Sequence, residues 1–180
     1  DTYTPEQLRE GLEVIHGQAK NLSAFLDSYH RLTHLPEPER TEVPITSLFR
    51  KMERLLCAEA GSDRIRFSSA EALTVHADQN LIALALINLI RNALQAIEGQ
   101  ADAIVSVEAL ETDGRVYITI TDNGPGISPK LLSAIFTPFF STKSGGSGIG
   151  SISHRIMRLH GGDLTVDSLP GVRTEFRMTF

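Results

Sequence analysis

The first feature of the sequence is a run of apolar residues that alternate between spacings of four and three over residues 8–29. The run consists of Leu8, Leu12, Ile15, Ala19, Leu22, Leu26 and Tyr29. Such a repeat predicts a helix over residues 4–35 that carries the apolar seam of a coiled coil. Thr4 and Pro5 suit the start of this helix, and Leu35-Pro36-Glu37-Pro38 ends it. Because one helix cannot bury such a seam alone, we expect a partner helix, with packing on the chain's own globular body as the alternative.

Beyond the proline-rich segment, the chain alternates between strand-like and helix-like patterns. Strands are predicted near residues 43–45, 64–67, 73–76, 103–110, 115–121, 163–167 and 174–180. Helices are predicted near residues 47–60, 78–97, 129–136 and 148–160. Thr46 or Ser47 is expected to cap the first of these helices and Asp78 the second, while Asp113 and Gly114 suit a hairpin turn. The order predicts an α+β protein, a two-layer α/β sandwich with a mixed β-sheet and helices on one face, preceded by the long N-terminal helix.

Composition limits the class of protein. The 180 residues are 41% hydrophobic and 22% charged, a balance typical of a globular chain that can bury a core. The net charge of -5, without a local basic patch, argues against contact with nucleic acid or an acidic membrane surface. The longest apolar run, residues 81–90, is too short to span a bilayer, which takes roughly 20 residues. A single cysteine, Cys57, excludes an internal disulfide and fits a reducing compartment. Together with the short apolar run and an acidic N-terminus unlike a signal peptide, this predicts a cytoplasmic chain.

Four polar side chains interrupt the otherwise apolar helix predicted at residues 78–97. They are spaced at i, i+3, i+4 and i+7 and form one stripe: Asn88, Arg91, Asn92 and Gln95. A solvated helix face usually contains Lys and Glu, whereas asparagine is a poor helix former that offers a neutral oxygen ligand. The stripe therefore predicts a face that binds a ligand, with an ordinary solvated face as the alternative.

Two glycine-rich stretches follow. The first, Asp122-Asn123-Gly124-Pro125-Gly126, leaves a predicted strand, and its Asn, Gly and Pro residues suit a turn. Turn formation does not explain the carboxylate. The second stretch, Gly145-Gly146-Ser147-Gly148-Ile149-Gly150, leads into a helix, whose backbone N–H groups and positive end could bind an anion. Lys143 adds a cation suited to a phosphate, while a flexible linker is the alternative interpretation.

Four segments in order give the sequence a specific signature. They are Asn88-Leu89-Ile90-Arg91-Asn92-Ala93, Asp122-Asn123-Gly124-Pro125-Gly126, Phe136-Thr137-Pro138-Phe139-Phe140 and Gly146-Ser147-Gly148-Ile149-Gly150. Together they resemble the N box, first glycine box, phenylalanine box and second glycine box of sensor histidine kinase catalytic domains, in the gyrase, Hsp90 and MutL superfamily. The resemblance covers residues 74–180 and implies a Bergerat-type ATP-binding fold. The short path to the second glycine box looks most like the nitrogen-regulation type.

The resemblance implies a role for each motif. Asp122 would accept a hydrogen bond from the adenine amino group, Asn92 would bind Mg²⁺, Lys143 would hold the phosphates, and Phe136 would pack under the loop over ATP. The implied set of nucleotide-binding residues is Asn88, Asn92, Gln95, Asp122, Gly124, Gly126, Ile127, Phe136, Lys143, Gly146, Ser147, Gly148, Ile149 and Gly150. Asn92 is the one expected metal ligand, and no catalytic side chain is expected within the chain.

Asn88 also separates functions within the superfamily. Members that hydrolyse ATP or phosphorylate serine resemble one another in carrying a glutamate at this position, whereas asparagine cannot accept a proton. In sensor kinases the nucleophile is a histidine on the first dimerisation helix, and none of the chain's six histidines lies in that sequence context. Residues 1–40 are therefore expected to be the second helix of an incomplete dimerisation and phosphoacceptor hairpin, and residues 41–180 the ATP-binding catalytic domain.

The resemblance thus implies an ATP- and Mg²⁺-dependent protein-histidine kinase domain that serves a two-component system. Its expected partners are ATP, its own dimerisation domain in a homodimer, and a response regulator receiver domain, with no contact to nucleic acid or membrane. The fragment alone is not expected to phosphorylate itself, and the resemblance leaves open whether the full-length protein is membrane-anchored. Two alternatives remain: a nucleotide-binding or dimerisation module without kinase activity, and a clamp-type ATPase.

Overall fold

The computed structural model describes most of the globular part of the chain. The described residues are 9, 11–13, 16–19, 35–60, 64–70, 72–137 and 150–180. The helix predicted over residues 4–35 lies largely outside them, although residues 9, 11–13 and 16–19 are helical. The coiled-coil seam and the division of the chain near residue 40 therefore stay predictions.

Seven strands and four helices make up the part of the chain from residue 41 onward that the structure describes. The strands are β1 Thr41–Pro44, β2 Ile65–Ser69, β3 Thr74–Ala77, β4 Val105–Thr112, β5 Arg115–Asp122, β6 Asp163–Leu169 and β7 Arg173–Thr179. The helices are α1 Ile45–Ala60, α2 Gln79–Ala96, α3 Pro129–Leu132 and α4 Gly150–Leu159. Every predicted strand is present, with ends that differ by up to two residues from the prediction.

The main sheet has five strands in the order β2-β4-β5-β7-β6, so β5 lies at its centre. β2 and β4 are parallel and the other neighbours are antiparallel, which confirms the predicted mixed sheet. Alternate residues of β5 such as Ile118 and Ile120 are buried, and α2 packs on β4 and β5 while α4 packs on α2 and β6. The α+β prediction is therefore confirmed. β1 and β3 form a separate antiparallel pair, in which Pro44 lies on an edge strand.

The two predicted helix caps differ in outcome. Asp78 caps α2 as predicted, because its Oδ1 accepts hydrogen bonds from the N–H groups of Asn80 at 2.9 Å and Leu81 at 3.1 Å. The prediction that Thr46 or Ser47 caps α1 is wrong, since the helix begins earlier, at Ile45. There the Ile45 N–H donates to the carbonyl oxygen of Leu73 at 2.9 Å, so a distant strand end satisfies the first amide of the helix.

The helix predicted over residues 129–136 is also shorter than expected, because regular α-helix covers only Pro129–Leu132 and turns follow. The hairpin turn at Asp113 and Gly114 is confirmed, with φ values of 54° and 72°. Among the described residues, no helix combines the length and the apolar character needed to cross a membrane.

Candidate functional site

The centre of the candidate site is the turn formed by residues 122–127, here called the first glycine turn, at the end of β5. Asp122 closes this strand with only 3% of its surface exposed. Its Oδ1 accepts a hydrogen bond from the Gly124 N–H at 2.9 Å, so the backbone two residues later folds back over the carboxylate. The turn therefore contains a buried hydrogen-bond acceptor at the end of the central strand of the sheet.

Gly124 brings the turn against helix α2. A Cβ at this position would lie 2.7 Å from Oδ1 of Asp122 and 3.2 Å from the side chain of Ile97, which follows the last residue of α2. Only glycine fits there without displacing the carboxylate. The close approach joins the two predicted motifs, because the helix that carries Asn88 and Asn92 ends beside Asp122.

The first half of the glycine turn is anchored by Asn123, which the sequence analysis treated only as a turn former. Its Oδ1 accepts from the Ile104 N–H at 2.9 Å, and its Nδ2 donates to the Asp102 carbonyl at 2.6 Å. Its own carbonyl accepts from Nε2 of Gln100 at 3.0 Å. These bonds fix the turn to the segment between α2 and β4, so Asn123 is better regarded as an anchor.

The polar stripe on α2 is exposed to different degrees along its length. Asn88 is buried, with 7% of its surface exposed, Asn92 is half-buried, and Arg91 and Gln95 are exposed. The burial of Asn88 does not fit an ordinary solvated face. The two asparagines are one helical turn apart and offer neutral oxygen atoms on one side of the helix.

Phe136 packs at the start of the phenylalanine box. Its ring stacks on His154 of α4 with centroids 5.0 Å apart, and it meets Phe176 of β7 edge-on at 6.4 Å. A Cβ on Gly150 would lie 2.7 Å from the carbonyl oxygen of Ile135, so this glycine permits the close approach of α4 to the phenylalanine segment. Phe136 and Ile135 thus pack against α4 and β7 in a segment that follows the end of regular helix at Leu132.

The remaining predicted phosphate-binding residues lie outside the described residues. They are Lys143, Gly146, Ser147, Gly148 and Ile149. Their contribution to the site stays a prediction, as do the roles of Asn92 as metal ligand and of Gln95 and Ile127 as nucleotide contacts. Within the described ranges, no group of three or more His, Cys, Asp or Glu side chains is arranged to hold a metal ion.

Two residues near the turn were missed by the sequence analysis. Thr174 is directly opposite Asp122 in the β5–β7 register and has 4% of its surface exposed. Ser168, opposite Thr174 in β6, accepts a hydrogen bond from the N–H of Ile127. Both positions look like ordinary strand residues in the sequence, and only the pairing of distant strands brings them to Asp122.

The fold is the two-layer α/β sandwich that the sequence resemblance predicts, and the first glycine turn lies beside the end of α2. The family model for histidine kinase-, DNA gyrase B- and HSP90-like ATPases matches residues 77–180. The chain therefore belongs to this family, and its relatives are sensor histidine kinases. Sensor histidine kinase ZraS of Escherichia coli (strain K12) is 38% identical over 170 residues, which cover 92% of this chain but only 36% of that protein.

Solved structures of histidine kinases have a similar fold. The catalytic domain of histidine kinase ThkA has a TM-score of 0.69 and 28% identity, covering 79% of this chain and 95% of that chain. Full-length ShkA in complex with AMPPNP has a TM-score of 0.74 and 25% identity, over 99% of this chain and 39% of that one. A complex of ThkA with the response regulator protein TrrA, at 24% identity and a TM-score of 0.74, shows likeness of fold alone over 99% of this chain and 52% of that chain. The assignment to the nitrogen-regulation type stays a prediction.

Proposed function

We propose that the chain binds ATP together with Mg²⁺ and presents the γ-phosphate to a histidine on a dimerisation helix outside this chain. The phosphoryl group would then pass to an aspartate of a response regulator. Membership of the ATPase family supports nucleotide binding, and the kinase relatives support histidine as the acceptor. The structure of ShkA with AMPPNP, a nucleotide analogue, supports the same conclusion for a related chain.

The observation that carries the proposal is the burial of Asp122. A carboxylate with 3% of its surface exposed is costly unless it has hydrogen-bond donors. Such groups are concentrated at functional sites, where an apolar residue would not serve. In addition to the Gly124 N–H, the carboxylate can accept from the adenine amino group, whereas guanine has a carbonyl at the same place, so a carboxylate here favours ATP over GTP.

Asn88 and Asn92 support the use of ATP for transfer rather than for hydrolysis. Mg²⁺ usually keeps several waters and binds phosphate oxygens, so one amide oxygen from Asn92 is enough on the protein side. When bound there, Mg²⁺ would supply positive charge that offsets the charge on the phosphates. Asn88 is buried one turn earlier and has no group that accepts a proton, so it cannot activate water.

Titration calorimetry with ATP, in the presence and absence of Mg²⁺, tests nucleotide binding. We expect binding that weakens when the metal is removed, and we expect Asn92→Ala to lose this metal dependence. Asn80→Ala is the matched control, because Asn80 is exposed in the first turn of the same helix. A full metal effect in Asn92→Ala would place the metal ligand elsewhere, and no ATP binding by the unaltered chain would overturn the proposal.

Radiolabelled γ-phosphate tests the acceptor. The chain alone should neither label itself nor release phosphate at an appreciable rate, because a correct pocket without a placed nucleophile stays inert. Adding a polypeptide with the acceptor helix should give acid-labile, alkali-stable label on a histidine of that polypeptide. Rapid phosphate release by the chain alone would instead favour the clamp-type ATPase.

A further inference from the structure

The loop between β6 and β7 contacts the second half of the first glycine turn. The N–H of Gly171 donates to the carbonyl oxygen of Pro125 at 2.7 Å. A Cβ on Gly126 would lie 2.6 Å from the carbonyl oxygen of Leu169, so the two backbones are in direct contact. The second half of the turn, which Asn123 does not reach, is therefore held by the β6–β7 hairpin.

Ser168 supplies the side-chain part of this contact. Its Oγ accepts a hydrogen bond from the Ile127 N–H at 2.8 Å and donates to the Arg173 carbonyl at 2.9 Å. A hydroxyl has one donor and two acceptor positions, so the proton given to Arg173 leaves a lone pair for Ile127. The same oxygen lies 3.4 Å from Oγ1 of Thr174, the residue opposite Asp122. One hydroxyl thus connects the end of the turn to the residues beside the buried carboxylate.

We infer that Ser168 is a positioning residue for recognition of the nucleotide base. It fixes Ile127 and the backbone before it at a set distance from Asp122, so that the turn can close over the base. The inference rests on the proposed function, because it assumes that Asp122 binds adenine. It goes beyond that function in assigning a role to a strand residue whose described hydrogen bonds are all made to protein groups.

The physical reason is the loss of an acceptor. Without the hydroxyl, the Ile127 N–H and the Arg173 carbonyl must both find water, and the turn gains freedom on the side that faces the base. A partly buried hydrogen bond of this kind corresponds to roughly a tenfold change in affinity when the ligand needs the ordered turn. The sheet itself should be affected little, because Ser168 lies near the end of an edge strand.

The test compares ATP binding by calorimetry, in the presence of Mg²⁺, for three variants. Ser168→Ala should bind ATP roughly tenfold more weakly, whereas Ser168→Thr, which keeps the hydroxyl, should bind like the unaltered chain. Ser68→Ala is the matched control, because Ser68 is an exposed serine on β2, the opposite edge strand. It should bind normally. Should the alanine variant fail to fold, Ser168→Cys replaces it, since a thiol of similar size is a weak acceptor.

Amide hydrogen exchange without nucleotide separates positioning from general stability. In Ser168→Ala the Ile127 amide should exchange faster, while the amides of β5 should keep their protection. If the unaltered chain binds ATP and the Ser168→Ala variant binds it with equal affinity, this inference alone is overturned. A uniform rise of exchange across the sheet would also overturn it, because Ser168 would then act on stability. An unaltered chain that does not bind ATP would overturn the proposed function, and this inference with it.

Discussion

A turn adjoins each end of strand β5. Both turns contain aspartate and glycine, but the atoms that surround them differ. Before the strand, Asp113 and Gly114 make a two-residue hairpin, and a Cβ on Gly114 would meet no atom within 4 Å. After the strand, Gly126 has a similar φ of 71°, but its Cβ would lie 2.6 Å from a backbone oxygen of the β6–β7 hairpin. Gly114 is needed only because its φ is positive. Gly126 is needed because its φ is positive and because a Cβ there would clash with the β6–β7 hairpin.

The aspartates of the two turns differ in the same way. Asp113 is exposed, whereas Asp122 is buried and accepts from the backbone of Gly124. An exposed aspartate in a turn serves local geometry, whereas a buried carboxylate is costly unless it accepts hydrogen bonds. The comparison therefore separates a turn that only reverses the chain from a turn that is built around an acceptor.

The largest expected effect is on ATP binding when the buried aspartate is removed. Asp122→Ala should weaken ATP binding on the order of 100-fold or more, because a charge-assisted hydrogen bond to the base is lost. Asp113→Ala should leave the affinity unchanged, and calorimetry measures both. The circular dichroism spectrum of the Asp122 variant should remain native. Equal affinities for the two variants would remove the distinction between the turns.

The second pair of variants compares the two glycines. Gly126→Ala should lower the free energy of unfolding by on the order of 3 kcal/mol, because an unfavourable φ and a backbone clash act together. Gly114→Ala meets only the unfavourable φ, so it should cost about 1 kcal/mol. Urea denaturation measures both values, and only the first variant should also bind ATP more weakly. If the two variants lose the same stability, the close contact with the β6–β7 hairpin does not constrain the turn.

The comparison also explains what could be predicted from the sequence. Local signals sufficed for the Asp113-Gly114 turn, for the Asp78 cap and for the strands, because neighbouring residues determine them. The motif resemblance pointed to Asp122, which the structure shows to be buried, and its role in binding the base stays a prediction. Neither kind of reasoning identified Ser168 or Thr174, because their relation to Asp122 depends on strands that are paired across the sheet.

The two helix errors have the same physical origin. At the start of α1, the carbonyl of Leu73 takes the amide proton of Ile45, so no local side chain is needed to begin the helix. After α3, packing of Phe136 on His154 and Phe176 is accompanied by turns in place of continued helix. In both places, the difference from the prediction coincides with a contact from a distant part of the chain, which local patterns do not reveal.

A third aspartate tests whether the comparison concerns carboxylates in general, and it should give the smallest effect. Asp78 is the cap of α2, and its carboxylate accepts from three backbone N–H groups, including that of Glu39 at 3.0 Å. Partial burial raises its pKa, but the hydrogen bonds from Leu81, Glu39 and Asn80 and the nearby His160 outweigh burial and hold the pKa below the ordinary value of 3.8. Its role is structural, so ATP binding should not depend on it.

The sign of the pH effect follows from the lowered pKa. The charged form of Asp78 stabilises the folded chain at pH values above about 3.8, and this contribution is lost as pH falls through the lower folded-state pKa. Asp78→Asn keeps a capping oxygen without the charge, so it should be less stable than the unaltered chain by under about 1 kcal/mol at pH 6. The difference should shrink as pH falls through the lowered pKa of Asp78, and urea denaturation across a series of pH values measures it. A variant that also bound ATP more weakly would show that the α2 cap, and not only the first glycine turn, acts on the nucleotide.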